Sequence, residues 1–109
     1  MLSEFKNYYM PKKTKSEKKE VTFLDTVCIV KKETYQSNGR ICLDLIDKEE
    51  NEVFACATIN VFIPIKKDEV VIKNYSENQG IREVLQLAGI IGPPLSFISS
   101  DVSIHKCLI

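Results

Sequence analysis

Residues 74–92 carry apolar side chains at helical spacing. Four of them recur at i, i+3, i+4 and i+7, which places them on one face of a helix: Ile81, Val84, Leu85 and Ala88. A helix of about three turns is marginal alone, so this face must pack against another part of the chain.

Signals for a helix start and a helix stop flank this pattern. Ser76 and Gln79 match the capping box, and Asn78 is a rival cap that would start the helix two residues later. Gly89 can supply the left-handed residue that commonly ends a helix. Pro93 and Pro94, which follow Gly92, prevent the helix from resuming.

The other apolar stretches have the composition and alternation of β-strands. They are residues 21–30, 40–47, 53–61, 69–74 and 101–109. Asn38-Gly39 is a strong hairpin signal between the first two, and the charged residues 47–52 predict a second hairpin. Residues 95–100 are expected to be irregular. The final strand is expected to lie inside a sheet, with Val102, Ile104 and Leu108 on one face.

The fold class that follows is α+β with the order β-β-β-β-α-β. We expect a single curved, mostly antiparallel sheet of four to five strands with one short helix packed on it. Five strands span about 24 Å, whereas a helix is about 10 Å wide, so one helix covers about half of one face. The remainder must be covered by sheet curvature, by residues 92–100, or by a docked partner.

Length and charge divide the chain into two parts. A sequence of 109 residues is expected to form one domain, here residues 21–109, preceded by a flexible basic arm of residues 1–20. Lysine and arginine total 15 and the acidic residues total 15, so net charge favours neither nucleic acid nor membrane. The arm nevertheless holds six Lys against three Glu, and the remainder holds nine basic and twelve acidic residues.

The sequence contains no apolar run long enough for a membrane helix and no secretory signal, so a cytoplasmic location is expected. Its four cysteines lie inside predicted strands and are expected to be buried free thiols: Cys28, Cys42, Cys56 and Cys107. The repeated 14-residue interval between the first three reflects successive strands rather than a zinc motif. We therefore expect no metal and no cofactor.

The sequence has few candidates for catalysis. His105 is the only histidine, and Cys107 shares its parity two residues later, but no third group is available to orient such a pair. Asp44 lies between apolar neighbours, with Arg40 as a possible ion-pair partner; the alternative is a solvent-facing carboxylate. No phosphate loop, nucleophile elbow or paired-acid motif is found, so the protein is not expected to be an enzyme.

Four stretches together resemble a known family. They are 38–41 with Leu43 and Leu45, then 57–61, 73–80 and 88–93. In order and spacing they are similar to a family of small uncharacterised proteins, carried by gut-type bacteria and by their phages, plasmids and conjugative elements. The resemblance covers residues 37–109 and leaves out the arm. It implies an accessory gene of a mobile element, a class that often encodes inhibitors of host defence nucleases, including anti-CRISPR proteins.

Two polar surfaces are candidates for binding a protein partner. The first lies at the predicted helix start and comprises Tyr75, Glu77 and Asn78, where capping alone accounts for part of the pattern. The second is the tip of the predicted second hairpin, whose four carboxylates are suited to mimic phosphates: Asp47, Glu49, Glu50 and Glu52. The alternative for the tip is an ordinary solvated turn.

The leading hypothesis is a non-enzymatic protein-binding protein of a mobile element that inhibits a host defence nuclease; a homodimer remains open. The alternative is a small nucleic-acid-binding protein that uses the arm. Aromatic and basic side chains there would grip a strand by stacking and by charge. Those residues are Tyr8, Tyr9, Lys12, Lys13, Lys15, Lys18 and Lys19.

Overall fold

A computed structural model describes residues 19–109, which form two antiparallel sheets and one short α-helix. The strands are β1 (Lys19–Phe23), β2 (Thr26–Thr34), β3 (Ile41–Asp47), β4 (Val53–Cys56), β5 (Glu69–Lys73), β6 (Ile91–Ser99) and β7 (Val102–Cys107). The helix is α1 (Ile81–Leu87), preceded by a 3-10 turn at Ser76–Asn78. The α+β class is confirmed, but the strands form a four-stranded sheet (β1-β2-β3-β4) and a three-stranded sheet (β5-β7-β6).

The first hairpin lies within the stretch predicted as one strand. Phe23 pairs with Thr26, so Leu24 and Asp25 alone form the turn, with φ angles of 51° and 61°. Two consecutive positive φ angles define a type I′ turn, whose twist matches that of the flanking strands. The single strand predicted over residues 21–30 is therefore wrong, because this turn carries no Gly or Asn to reveal it.

The second hairpin turns at Asn38-Gly39, as predicted. Gly39 has a φ of 72°, and its amide donates to the carbonyl of Tyr35. The predicted alternation of β3 is also confirmed, because Ile41, Leu43 and Leu45 are buried while the residues between them are partly exposed.

The chain after β4 joins the two sheets. The predicted strand 53–61 ends at Cys56, but the residues that follow form backbone hydrogen bonds with both sheets. The Ala57 amide donates to Leu43 of the first sheet, and the Ala57 carbonyl accepts from Lys73 of the second. Thr58 then forms an isolated antiparallel bridge with Ile72. Residues 57–59 therefore form a seam shared by both sheets.

The helix starts later than either predicted cap. Its N-cap is Gly80, with a φ of 92°, and neither Ser76 nor Asn78 makes a side-chain cap. Asn74 serves the first turn instead, because its Oδ1 accepts from the Arg82 amide at 2.9 Å. The buried side of α1 is Ile81 and Leu85, both on the predicted apolar face.

The predicted helix stop at Gly89 is confirmed. Gly89 has a φ of 74°, its amide donates to Gln86, and the Ile90 amide donates to Leu85. These two bonds form a Schellman motif, and the motif places Ile90 and Leu85, both fully buried, together at the end of the helix.

The second sheet departs from prediction in two ways. Residues 95–100, expected to be irregular, lie largely in β6, whose register with β7 shifts at three points. Strand β7 lies in the centre of its sheet, as predicted, but the buried face is Ser103, His105 and Cys107. The predicted face of Val102, Ile104 and Leu108 is instead the more exposed one. The sequence predicts the wrong buried face for β7, because serine and histidine are usually found at the surface, whereas Ser103 and His105 are buried here.

One apolar core fills the space between the sheets and the helix. It contains Val21, Phe23, Cys28, Val30, Ile41, Leu43, Leu45, Ala55, Ala57, Val70, Ile72, Ile81, Leu85, Ile90, Ile91 and Cys107. Among residues 19–109, no helix has the length and apolar character needed to cross a membrane.

Candidate functional site

The outer face of the four-stranded sheet carries a cluster of thiols and a carboxylate. Because alternate residues of β3 fill the core, Cys42 and Asp44 point away from it. Cys56 of β4 is the direct cross-strand neighbour of Asp44. Cys42 therefore lies diagonally across from Cys56, two positions along β3.

The three side chains approach one another closely. The Sγ atoms of Cys42 and Cys56 are 3.9 Å apart, and Cys42 Sγ lies 3.8 Å from Asp44 Oδ1. One ligand atom from each residue falls within 4.8 Å of the other two. Cys56 is exposed and the other two are half-buried, so solvent reaches the cluster. We call Cys42, Asp44 and Cys56 the thiol–carboxylate cluster.

Two hydroxyl groups support the inner side of the cluster. Tyr35 Oη and Thr58 Oγ1 share a hydrogen bond of 2.9 Å, and Thr58 Oγ1 also accepts from the Leu43 amide at 3.3 Å. Burial raises the pKa of the Tyr35 phenol, which therefore stays neutral at physiological pH. Thr58 Oγ1 lies 3.9 Å from Cys56 Sγ.

The thiol of Cys42 is protonated in the free protein. Burial raises its pKa, and the nearby Asp44 carboxylate raises it further because its negative charge opposes ionisation. The hydroxyl of Thr58 acts in the opposite direction. A neutral thiol is a poor nucleophile, so Cys42 lacks the activation that a catalytic cysteine needs.

The first predicted partner surface borders this cluster, with one correction. Tyr75 and Glu77 are exposed, and Lys73 Nζ lies 2.6 Å from Glu77 Oε2 and 5.1 Å from the Tyr75 ring centroid. The hydrogen bond to Lys73 lowers the pKa of Glu77. Asn78, however, is fully buried and donates to the Cys56 carbonyl at 2.7 Å. It supports β4 and does not belong to the partner surface.

The acidic hairpin tip has the predicted position between β3 and β4. Asp47 Oδ1 accepts from the amides of Glu49 and Glu50 at 2.9 and 3.1 Å, so this carboxylate shapes the turn. Glu49, Glu50 and Glu52 are exposed. Within residues 19–109, none of these three glutamates forms an ion pair.

Most of the predicted nucleic-acid-binding residues lie outside the described residues. They are Tyr8, Tyr9, Lys12, Lys13, Lys15 and Lys18. Lys19, assigned to the arm by sequence, is the first residue of β1 and pairs with Val30.

His105 is held entirely within the core. Its Nδ1–H donates to the Gly92 carbonyl at 2.8 Å, and its Nε2 accepts from the Ser103 hydroxyl at 2.7 Å. Burial lowers the pKa of this imidazole, so the ring is neutral. Cys107 Sγ is directed to the Ile109 carbonyl at 3.7 Å, and both ring nitrogens already have partners. This geometry does not support a Cys–His dyad.

The predicted ion pair between Arg40 and Asp44 does not form. The Arg40 guanidinium donates instead to the carbonyls of Val61 and Ile63, where it holds the loop that leaves the seam. Asp44 is thereby left to the thiol–carboxylate cluster. Sequence alone could not group this cluster, because its members are brought together only by the pairing of β3 with β4.

A row of apolar side chains crosses the same outer face. The register places Ile29 beside Ile46, and Ile46 beside Val53. These three residues line a groove whose edges include Lys19, Lys31 and Lys48. The groove also reaches the acidic tip, since Asp47 and Asn51 line it as well. We call Ile29, Ile46 and Val53 the outer apolar row.

The chain was compared with protein-family models, with curated proteins and with solved structures, and none of the three comparisons gave a match.

Proposed function

We propose that this chain is a non-enzymatic binding protein whose ligand is another protein, docked on the outer face of the four-stranded sheet. The observation that carries the proposal is the outer apolar row. Val53 is 62% exposed although it belongs to a paired strand, and Ile29 and Ile46 beside it are only partly covered. A contiguous apolar row on a sheet face is typical of an interaction surface.

The charges around the row indicate the chemistry of the partner. Lys31 and Lys48 are paired with Glu33 and Glu20, at 3.0 and 2.6 Å. The exposed glutamates of the acidic tip form no ion pair within residues 19–109, so their charges can attract a basic partner. A partner with an apolar projection beside a basic surface therefore fits this face.

The specific hypothesis from sequence is a nuclease of host defence, whose basic nucleic-acid groove the acidic tip would enter. The support for it is the family resemblance together with the tip geometry. The state of Cys42 also agrees with a binding role, because a neutral thiol does not favour covalent catalysis.

The test compares two surface variants with a matched control. Ile46→Lys/Val53→Lys places charge in the outer apolar row, and Glu49→Gln/Glu50→Gln/Glu52→Gln neutralises the tip but keeps Asp47 in its turn. Leu87→Lys is the control, because Leu87 is 90% exposed on α1. DNA cleavage by a purified RNA-guided nuclease is measured with each protein in excess.

Wild type and Leu87→Lys are expected to inhibit cleavage, and both surface variants are expected to lose inhibition. Equal inhibition by all four proteins would remove the docking face from the proposal. Absence of inhibition by wild type would refute the nuclease hypothesis. Light scattering completes the test, because a dimer broken by Ile46→Lys/Val53→Lys would identify the occupant as a second copy.

The nucleic-acid alternative is decided by a separate titration. The arm predicts binding to single- or double-stranded nucleic acid that weakens as salt rises, because lysines that contact phosphates release counterions. No affinity for either form at about 50 mM salt would rule this alternative out. Binding at about 50 mM salt that is lost when residues 1–18 are removed would establish it.

A further inference from the structure

We propose that the thiol–carboxylate cluster is a binding site for a zinc-type divalent cation, held by Cys42 Sγ, Cys56 Sγ and an Asp44 carboxylate oxygen. The sequence predicts no such site, because the intervals between the residues match no zinc motif. The inference is independent of the proposed function.

Two of the three distances within the cluster are close to those of a tetrahedral metal site, and the third, between Cys56 and Asp44, lies within 4.8 Å. Two Zn–S bonds of about 2.3 Å at the tetrahedral angle place their sulfur atoms about 3.8 Å apart. The observed separation between Cys42 and Cys56 is 3.9 Å. A sulfur and an oxygen ligand of the same metal lie about 3.5 Å apart, against 3.8 Å for Cys42 and Asp44. Small side-chain rotations would complete the three-ligand face.

The strand register favours a metal over a disulfide. Cys42 and Cys56 are diagonal neighbours, and such pairs in an antiparallel sheet have Cα atoms about 7–8 Å apart. A disulfide needs roughly 4.4–6.8 Å between these atoms. A metal bridge spans the larger gap because it adds two metal–ligand bonds between the sulfur atoms.

The surroundings leave the ligands free and hold them in place. Lys31 is the cross-strand neighbour of Asp44, but its ammonium is paired with Glu33 at 3.0 Å. The Cys56 carbonyl accepts from the buried Asn78 amide group, which positions the backbone beneath one ligand. The contact is to the backbone of Cys56 and not to its sulfur, so it fixes this part of β4 and leaves the thiol available to a metal.

The chemistry of the ligand set selects the cation. Two thiolates with one carboxylate suit Zn²⁺ better than Mg²⁺ or Ca²⁺, which prefer oxygen ligands. Binding replaces the two S–H protons with two metal–sulfur bonds and releases two protons to solvent. Because Cys56 is exposed, water can take the fourth position.

The test uses the full chain, reduced and stripped of metal. Co²⁺ is titrated first as a spectroscopic probe, and Zn²⁺ is then added to displace it. We expect one ion per chain, with the visible bands of tetrahedral cobalt and the ultraviolet bands of cobalt–thiolate bonds. Cys42→Ser and Cys56→Ser should each weaken binding at least about 100-fold, and Asp44→Asn about 10-fold or more. Cys107→Ser is the control and should bind as wild type does, because this thiol lies in the other sheet.

A second measurement needs no variant. Alkylation of each cysteine by iodoacetamide is followed by mass spectrometry with and without Zn²⁺. We expect Zn²⁺ to protect Cys42 and Cys56 selectively. Unchanged alkylation, or cobalt bands that survive both Cys→Ser substitutions, would overturn the proposal. The proposal would also be overturned if the protein failed to bind Zn²⁺ and instead formed a Cys42–Cys56 disulfide on incubation with glutathione disulfide. That result would assign the pair a redox role.

Discussion

The first hairpin offers a direct test of the backbone energetics. Leu24 and Asp25 both have positive φ, at 51° and 61°, and neither is glycine. A left-handed conformation costs an L-residue about 1–2 kcal/mol, and less for Asp, whose short side chain tolerates it. Leu24 is 62% exposed, so its side chain returns little of this cost through packing.

The substitution Leu24→Asn/Asp25→Gly supplies the pair that type I′ turns prefer. Relief of strain at both positions should exceed the entropic cost of the new glycine, about 0.5–1 kcal/mol. We expect a net gain of about 1 kcal/mol in the free energy of unfolding. For a domain of this size, that gain raises Tm by about 4–8 °C.

The assay is urea unfolding followed by circular dichroism, with thermal unfolding in parallel. Leu24→Ala is the matched control, because it removes the exposed side chain but keeps a residue with a Cβ at positive φ. Its stability should stay within about 0.5 kcal/mol of wild type. A double variant no more stable than wild type would refute the argument. An equal gain in Leu24→Ala would trace the effect to the exposed leucine instead of to the backbone.

Two further predictions concern the core. Leu85→Ala, at a fully buried position on α1, should lower the free energy of unfolding by about 2–5 kcal/mol, whereas Leu87→Ala on the exposed side should change it by less than about 0.5 kcal/mol. Urea midpoints at constant m-value measure both, and similar losses would contradict the placement of the helix. Burial lowers the pKa of His105, so the unfolded chain binds a proton that the folded chain resists as pH falls below about 6.5. On acidification, the free energy of unfolding of wild type should therefore fall by up to about 1.4 kcal/mol per pH unit more than that of His105→Asn. The free energy of unfolding of both proteins is measured from about pH 7.5 to about pH 5 in roughly half-unit steps. Parallel pH dependences would show that the ring is not buried in its neutral form.

Local signals predicted the elements that local chemistry determines. Asn38-Gly39 marks its hairpin because glycine adopts positive φ freely, and Gly89 marks the helix end for the same reason. Alternation in β3 identified the buried face of Ile41, Leu43 and Leu45, since each strand residue faces opposite to its neighbours.

Elements that depend on tertiary contacts were missed. The turn at Leu24 and Asp25 has no distinctive residue, so the hairpin is imposed by the pairing of β1 with β2. Strand β6 contains two prolines, and only its pairing with the central strand β7, across three register shifts, makes it extended. The helix starts after Gly80 and not at Asn78, because the Asn78 side chain is buried and donates to the Cys56 carbonyl instead of capping the helix.

The candidate sites divide in the same way. Exposure of Tyr75, Glu77 and the acidic tip follows from local polarity and was predictable. The thiol–carboxylate cluster depends on the β3–β4 register, and the role of His105 depends on Ser103 and Gly92. Neither can be read from spacing along one chain.

The seam at residues 57–59 has a consequence for how the molecule comes apart. One short run of backbone supplies hydrogen bonds to Leu43 on one side and to Lys73 on the other. If either sheet unfolded, the other would lose hydrogen-bond partners at the seam, and water would reach the shared apolar core from both sides. Although the domain contains two sheets, we expect it to unfold in one cooperative transition, because neither sheet is stable without the other.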